Sequence, residues 1–226
     1  MTEVSTGTTE PITPRQFEEA VEGWRAVAQV ASTYFRTGSF PASARLMNAI
    51  GELAGLDDHH AEVDARPHGV TVRLITITDD YYGLSARDVE LARQISVVAH
   101  DLGIPADPLA VQGLVISIDA LVIPDVLPFW RAVLDFQPRA DTPDEELNDP
   151  RQLWPLVYFN QMDAPRPQRN RIHFDVWVPL EQAEARVAAA IAAGGHLVTD
   201  ENAPGWWVLA DAEGNEVCVA TWASID

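Results

Sequence analysis

The sequence predicts an α+β protein in two halves, with a small antiparallel sheet carrying helices on one face in the first half. Three observations predict it. Helical and strand periodicities alternate through residues 12–103. The run Gly103-Ile104-Pro105-Ala106-Asp107-Pro108 then interrupts both periodicities with two prolines and small residues. Beyond it a supersecondary unit recurs: Leu114 to Ile118 and the helix from Ile123 to Leu134 are echoed by Ile172 to Val178 and the helix from Pro179 to Ala193. The expected division is a tail over 1–11, a first domain over 12–103, a linker over 104–111 and a second domain over 112–226.

The elements follow in order. Residues 1–11 are polar and aperiodic and are expected to be disordered. Thr13-Pro14 opens a helix with Pro at its first position and Phe17, Ala20 and Val21 on one face, ending near Gly23. Trp24 to Phe35 reads as one strand, with Trp24 as a core anchor and a further strand possible over Phe35 to Phe40. After the turn Gly38-Ser39-Phe40-Pro41, the spacing of Ala44, Met47, Ile50 and Leu53-Ala54 predicts a helix up to Gly55. A loop leads to a strand over Val70 to Thr78, and Ser85-Ala86-Arg87-Asp88 has the form of a capping box. The helix it opens places Val89, Ala92, Ile95, Val98 and Ala99 inward. In the second half, Leu180, Ala183, Val187 and Ile191 form a helical stripe stopped by Gly194-Gly195. Strands are expected over His196 to Thr199, Trp206 to Ala210 and Glu216 to Trp222, the last two joined by the turn Asp211 to Asn215.

Composition excludes several classes of function. The chain has 226 residues and a formal charge of −19. With no basic face for phosphates, neither nucleic acid nor an anionic membrane surface is an expected partner, and solubility is the simplest reason for the acidity. No apolar run approaches the ~20 residues of a membrane span. One cysteine, Cys218, excludes an internal disulfide and fits a reducing compartment, so a cytoplasmic location is expected.

The densest cluster of titratable side chains lies at Gly55-Leu56-Asp57-Asp58-His59-His60-Ala61-Glu62. Two adjacent histidines on a loop between rigid elements, with Asp57, Asp58 and Glu62 beside them, suit groups that give and take a proton. Paired histidines in acidic loops also cap or solvate with no further role. Arg87 and Asp88 have an equally plain reading, as a first-turn residue and a helix cap.

Asp58-His59-His60-Ala61-Glu62, the strand beginning Val70-Thr71-Val72, and Gly83-Leu84-Ser85-Ala86-Arg87-Asp88 resemble the pterin-4a-carbinolamine dehydratase family over residues 12–103. That family's pattern is a His-His-Pro-Glu loop, a strand ending in Thr-His, and a Gly-Leu-Ser/Thr-x-Arg-Asp helix start. The resemblance implies a hydro-lyase acting on a 4a-hydroxytetrahydropterin without a cofactor. His59 would be the principal acid/base and His60 its partner and pterin contact, while Asp58, Arg87 and Asp88 would bind the pterin or tune the histidines. The family's third histidine is missing: counting forward from His59 puts Ile77 there, and counting back from Gly83 puts Asp79 there. Asp79 is the candidate replacement acid, and His68, in the turn before the strand, is a weaker one. A homo-oligomer is expected. Animal members also serve as a dimerisation cofactor for a transcription factor, so a pterin-binding or scaffold role without turnover is the alternative.

Phe129-Trp130-Arg131-Ala132-Val133-Leu134, Arg171-Ile172-His173-Phe174-Asp175 and Asp211-Ala212-Glu213-Gly214-Asn215-Glu216 resemble the glyoxalase-like domains of the vicinal oxygen chelate superfamily over about 112–223. The resemblance implies paired βαβββ repeats forming an open cup around a divalent metal held by His, Gln and Glu. Here His173 and Glu216 are the weak metal candidates, because Val115 and Cys218 stand where further ligands are expected. A divalent site takes about three or four protein ligands, so no metal is expected, and His173 beside Asp175 on one strand face reads first as a solvated histidine. Trp154, Trp177, Trp206 and Trp207 fit either the cup wall or the core. Small-molecule binding or metal chemistry in this cup is the remaining functional alternative.

Overall fold

The structure is a computed structural model, and it describes residues 9–53, 59, 61–165 and 172–224. The chain divides into two compact units, residues 1–113 and 114–226.

In the first unit, α1 (Pro14–Ala20) starts with a reciprocal capping box between Thr13 and Gln16. A hairpin of β1 (Arg25–Val27) and β2 (Val30–Arg36) follows, then α2 (Phe40–Gly51), β3 (Ala61–Arg66), β4 (Gly69–Leu74), a small hairpin of β5 (Thr76–Thr78) and β6 (Tyr81–Gly83), and α3 (Ala86–Asp101). The main sheet has the order β1-β2-β4-β3 and is antiparallel throughout. Its register aligns Ala31 with Leu74, Thr33 with Val72 and Phe35 with Val70, so one face of the two central strands is fully buried. Phe17 of α1, Leu46 and Ile50 of α2, and Leu91, Ala92, Ile95 and Ala99 of α3 join these residues in one core. Trp24 anchors it: the ring meets Phe17 and Phe35 edge to face, and its Nε1–H donates to Ser96 Oγ at 2.9 Å. The other face is polar, with Arg73 paired to Glu62 at 3.0 Å.

Several sequence expectations are corrected here. Trp24 to Phe35 is a hairpin, because Ala28 takes a left-handed φ of 56° at a turn between two β-forming runs. Phe35 to Phe40 is not a strand, since Phe40 already begins α2. The buried side of α2 is Ala42, Ser43, Leu46 and Ile50, while Met47 is exposed. A strand unforeseen in the sequence, β3, pairs with β4. The strand expected over Val70 to Thr78 breaks after Leu74, and its last residues turn back in the β5–β6 hairpin. The start of the expected linker is stitched to β2: Arg36 N–H donates to Pro105 O, Asp107 N–H donates to Tyr34 O, and the Arg36 guanidinium pairs with the Asp107 carboxylate.

The second unit repeats one motif. The first copy is β7 (Val115–Ala120), α4 (Ile123–Leu134), β8 (Gln137–Pro138), β9 (Glu146–Asn148) and β10 (Leu156–Gln161). The second is β11 (Phe174–Trp177), α5 (Leu180–Ala192), β12 (His196–Thr199), β13 (Trp206–Ala210) and β14 (Glu216–Ala220). Both are βαβββ, with sheet orders β7-β10-β9-β8 and β11-β14-β13-β12. In each the first strand runs parallel to the last. Alternate residues of both sheets, including Ile118, Phe159, Leu209, Val217 and Val219, form one core with Val126, Phe129 and Trp130 of α4 and Ala183, Val187 and Ala190 of α5. Ala190 replaces the expected Ile191, which is exposed. Trp207 is core, whereas Trp154 and Trp177 are exposed.

The turn Asp211 to Asn215 ties the two copies together. Buried Asp211 accepts from the Trp130 indole at 2.9 Å, from Asn215 Nδ2 at 2.7 Å and from the backbone N–H groups of Glu213 and Asn215. The Glu213 carboxylate takes the N–H groups of Leu121 and Val122, which precede α4.

Candidate functional site

The site builds outward from the start of α3. Ser85 is the N-cap, its hydroxyl accepting from Arg87 N–H, and Asp88 at the third position returns its carboxylate to Ser85 N–H at 2.7 Å. Asp88 Oδ2 also accepts from Ser85 Oγ at 3.1 Å and from Thr76 Oγ1 at 2.8 Å. Both Thr76 and Asp88 are buried, so β5 supplies a donor that the sequence reading of that strand missed.

The remaining oxygen, Oδ1, meets His59 Nε2 at 2.9 Å. The Asp88 side chain is fully buried and the His59 ring is 11% exposed. A carboxylate only accepts, so Nε2 carries a proton in this contact and, in the neutral ring, Nδ1 carries the lone pair. An imidazole held by a buried carboxylate, itself fixed by three donors, is an oriented acid/base group.

Tyr81 closes one side. Its hydroxyl donates to Leu84 O at 2.6 Å, and burial first, then the nearby Asp88 charge, pushes the phenol above its ordinary value of 10.0. It therefore stays protonated at neutral pH. Glu62, by contrast, is occupied by Arg73; burial raises its carboxyl above the usual range and Arg73 partly offsets this.

The structure thus brings together His59 and Asp88 of the sequence-predicted residues. Arg87 is half-buried in the first turn of α3. Asp79 is exposed in the turn between β5 and β6, and among the described residues it makes no hydrogen bond to His59 or Asp88. His68 lies in the β3–β4 turn, at the other end of that hairpin from His59, near Gly38 O at 3.4 Å. Asp58 and His60 fall outside the described residues. Thr76, Ser85 and Tyr81 went unread as site residues; the available signal was the pair of β-forming runs flanking Asp79-Asp80, which marks a hairpin.

In the second unit, His173, just before β11, and Asp175, on β11, have their side chains 3.6 Å apart, and Asp175 pairs in register with Cys218 of β14. Glu216 is not in that cluster. The group the second resemblance implies is a divalent metal on His, Gln and Glu; the described residues instead gather imidazole, carboxylate and thiol, all from the second repeat, which is not that set.

These features define a two-part molecule: an α+β unit with a carboxylate-held histidine, joined to a paired βαβββ unit. Comparison with known proteins agrees. The family described as Pterin 4 alpha carbinolamine dehydratase matches residues 10–98, and that described as Glyoxalase-like domain matches residues 115–220. A Nocardia farcinica protein, provisionally named a pterin-4-alpha-carbinolamine dehydratase, is 34% identical over 95 residues, 41% of this chain and 98% of its own length. An Acidobacterium capsulatum protein with the same provisional name is 31% identical over 90 residues, 38% of this chain and 96% of its own. A solved structure of a glyoxalase/bleomycin resistance protein/dioxygenase family enzyme from Burkholderia phytofirmans aligns with a TM-score of 0.38 and 21% identity, covering 47% of this chain and 95% of that one. The chain belongs to the pterin-4a-carbinolamine dehydratase family through its first unit and carries a glyoxalase-like domain in its second.

Proposed function

We propose that the first unit is a hydro-lyase that removes water from a 4a-hydroxytetrahydropterin. The observation that carries this reading is the 2.9 Å contact between His59 Nε2 and the buried, triply anchored Asp88. In the reaction the N5–H proton leaves, the C4a–O bond breaks, and a C4a=N5 double bond forms as the hydroxyl departs with a proton as water. No electrons are exchanged with an outside partner. His59 Nδ1 takes or returns the proton, with Asp88 stabilising the imidazolium; each such transfer is worth about 10² to 10⁴ in rate. His60, Asp58 and Arg87 are assigned to pterin contact on the family pattern, and Asp79 is the replacement acid if the β5–β6 turn folds over bound substrate. The same reading expects a homo-oligomer acting in the cytoplasm.

The exposed position of Asp79 favours one other reading, a protein that binds the pterin without turning it over. The two separate in one experiment. A 4a-hydroxytetrahydropterin generated in situ is followed by absorbance with wild type, His59→Ala and Asp79→Ala. Turnover is expected for wild type, with a loss of about 10² or more for His59→Ala. Wild type that binds a stable pterin analogue yet leaves the dehydration rate at background sinks the hydro-lyase and leaves the binder.

A further inference from the structure

We propose that the trough between α4 and α5 binds a small amphipathic carboxylate, its head group on Arg131 and Arg186 and its apolar body on the alanine wall beyond them. The proposal is independent of the pterin site. The two helices run antiparallel: Arg186 of α5 reaches the last turn of α4, while a Cβ on Gly195, just past α5, would meet the Phe129 ring near the start of α4. Their inward stripes, Val126, Phe129 and Val133 on one helix and Ala183, Val187 and Ala190 on the other, fill the core. The stripes beside these line an open trough of about 750 Å³, within the range of roughly 300 to 1,000 Å³ that small-molecule sites occupy.

The sequence keeps the trough open. Large side chains at these positions would interlock the two helices, but α4 presents Ala132 there and α5 presents Ala185 and Ala189. Because the helices are antiparallel, Leu127, Pro128 and Ala193 form one apolar end, and Glu181 falls toward the other. Small residues leave space without selecting what fills it. The two guanidinium groups between those ends make the selection.

The Arg186 side chain is only 15% exposed. It donates from Nη1 to Val133 O at 3.1 Å, and Nη2 stands 3.4 Å from Asp135 Oδ2. Those contacts use at most two of its five N–H donors, and the others must be met by water or by an anion. Asp135 is also shared with Arg151, at 3.6 Å. Arg131, one turn before Asp135, pairs with no carboxylate among the described residues. In a chain of net charge −19, two guanidinium groups facing one trough are a local exception, and they draw an anion. A carboxylate matches the planar fork of donors, whereas a doubly charged phosphate would meet added repulsion from Asp135 and Glu181. The apolar body then lies along α5, where Arg186 to Ala193 spans about 10 Å, the length of a chain of roughly eight carbons.

The test is calorimetric titration of the full-length protein with sodium octanoate below its micelle threshold, with 1-octanol as the uncharged control. The expected result is saturable binding of one equivalent of octanoate, with octanol at least about tenfold weaker. Arg131→Ala should weaken octanoate by about tenfold or more, the weight of one charge-assisted hydrogen bond, and leave octanol unchanged. Ala189→Trp fills the trough and should abolish binding of both. Arg131 and Ala189 are exposed, so both variants keep the core, and their thermal midpoints confirm that they are folded. No saturable binding to wild type, octanol binding as tightly as octanoate, or an octanoate affinity unchanged in either folded variant overturns the site.

Discussion

Asp88 serves two ends at once. Its carboxylate completes the capping box of α3 and holds the imidazole of His59, and its burial makes both contacts costly to lose. Asp88→Asn keeps the shape but turns a donor toward the Thr76 and Ser85 hydroxyls. Stability should fall by about 1 to 3 kcal/mol in urea unfolding. Turnover should fall further than turnover in Ser85→Ala, which removes the cap and leaves the imidazole partner. Equal losses in the two variants would reduce Asp88 to a cap.

Asp149 supplies the clearest pH dependence. It is buried, which alone would raise its carboxyl, but the N–H groups of Arg151 and Leu153 and the Arg151 guanidinium outweigh that and hold it below its ordinary value of 3.8. A lowered folded value means that its stabilisation is fully present above the unfolded value and is lost as pH falls through the folded one. Asp149→Asn should therefore destabilise at pH 7 by about 1 to 3 kcal/mol and by less near pH 3. Urea midpoints at both pH values check it; a gap that does not shrink in acid would rule out the ionic account.

At the scale of elements, what could be read from the sequence depended on whether local pattern and tertiary pairing agreed. The helix start at Thr13-Pro14, the capping box at Ser85, the stop at Gly194-Gly195 and the β13–β14 turn were readable because each rests on residues within a few positions of one another. The break after Leu74 was not, since Ile75, Thr76 and Ile77 have strand character in either sheet. Only pairing with Tyr81 to Gly83 chooses between them, and it is this choice that aims Thr76 at Asp88. Beyond the end of α5, Gly195 is held to glycine for a steric reason: a Cβ there would lie 2.1 Å from the Phe129 ring. Gly195→Ala should cost about 1 to 3 kcal/mol by overpacking that buried ring. Thermal unfolding followed in the second unit tests this, and an unchanged midpoint would show that Phe129 yields freely.

At the scale of the whole molecule, each unit has its own core and its own candidate site. Leu46→Ala, at a fully buried position of the first core, should destabilise residues 9–113 by about 2 to 5 kcal/mol while amide exchange protection of β13 and β14 stays as in wild type. Matching loss of protection in both units would mean that they unfold as one cooperative body.

The sequence by itself determined the two-part plan, the repeated strand–helix unit, the histidine loop and the capped start of α3. Periodicity, turn chemistry and motif spacing are local properties, and each of these features is local. Tertiary structure alone decided which candidates meet. His59 and Asp88 are 29 positions apart, and the sheet and α3 bring them to 2.9 Å. Cys218 joins His173 and Asp175 only because β14 pairs in parallel with β11. Asp79, as near to Asp88 in sequence as Thr76 is to Ser85, is carried away by a turn. Strand pairing is non-local, and one residue of register decides which side chains share a face.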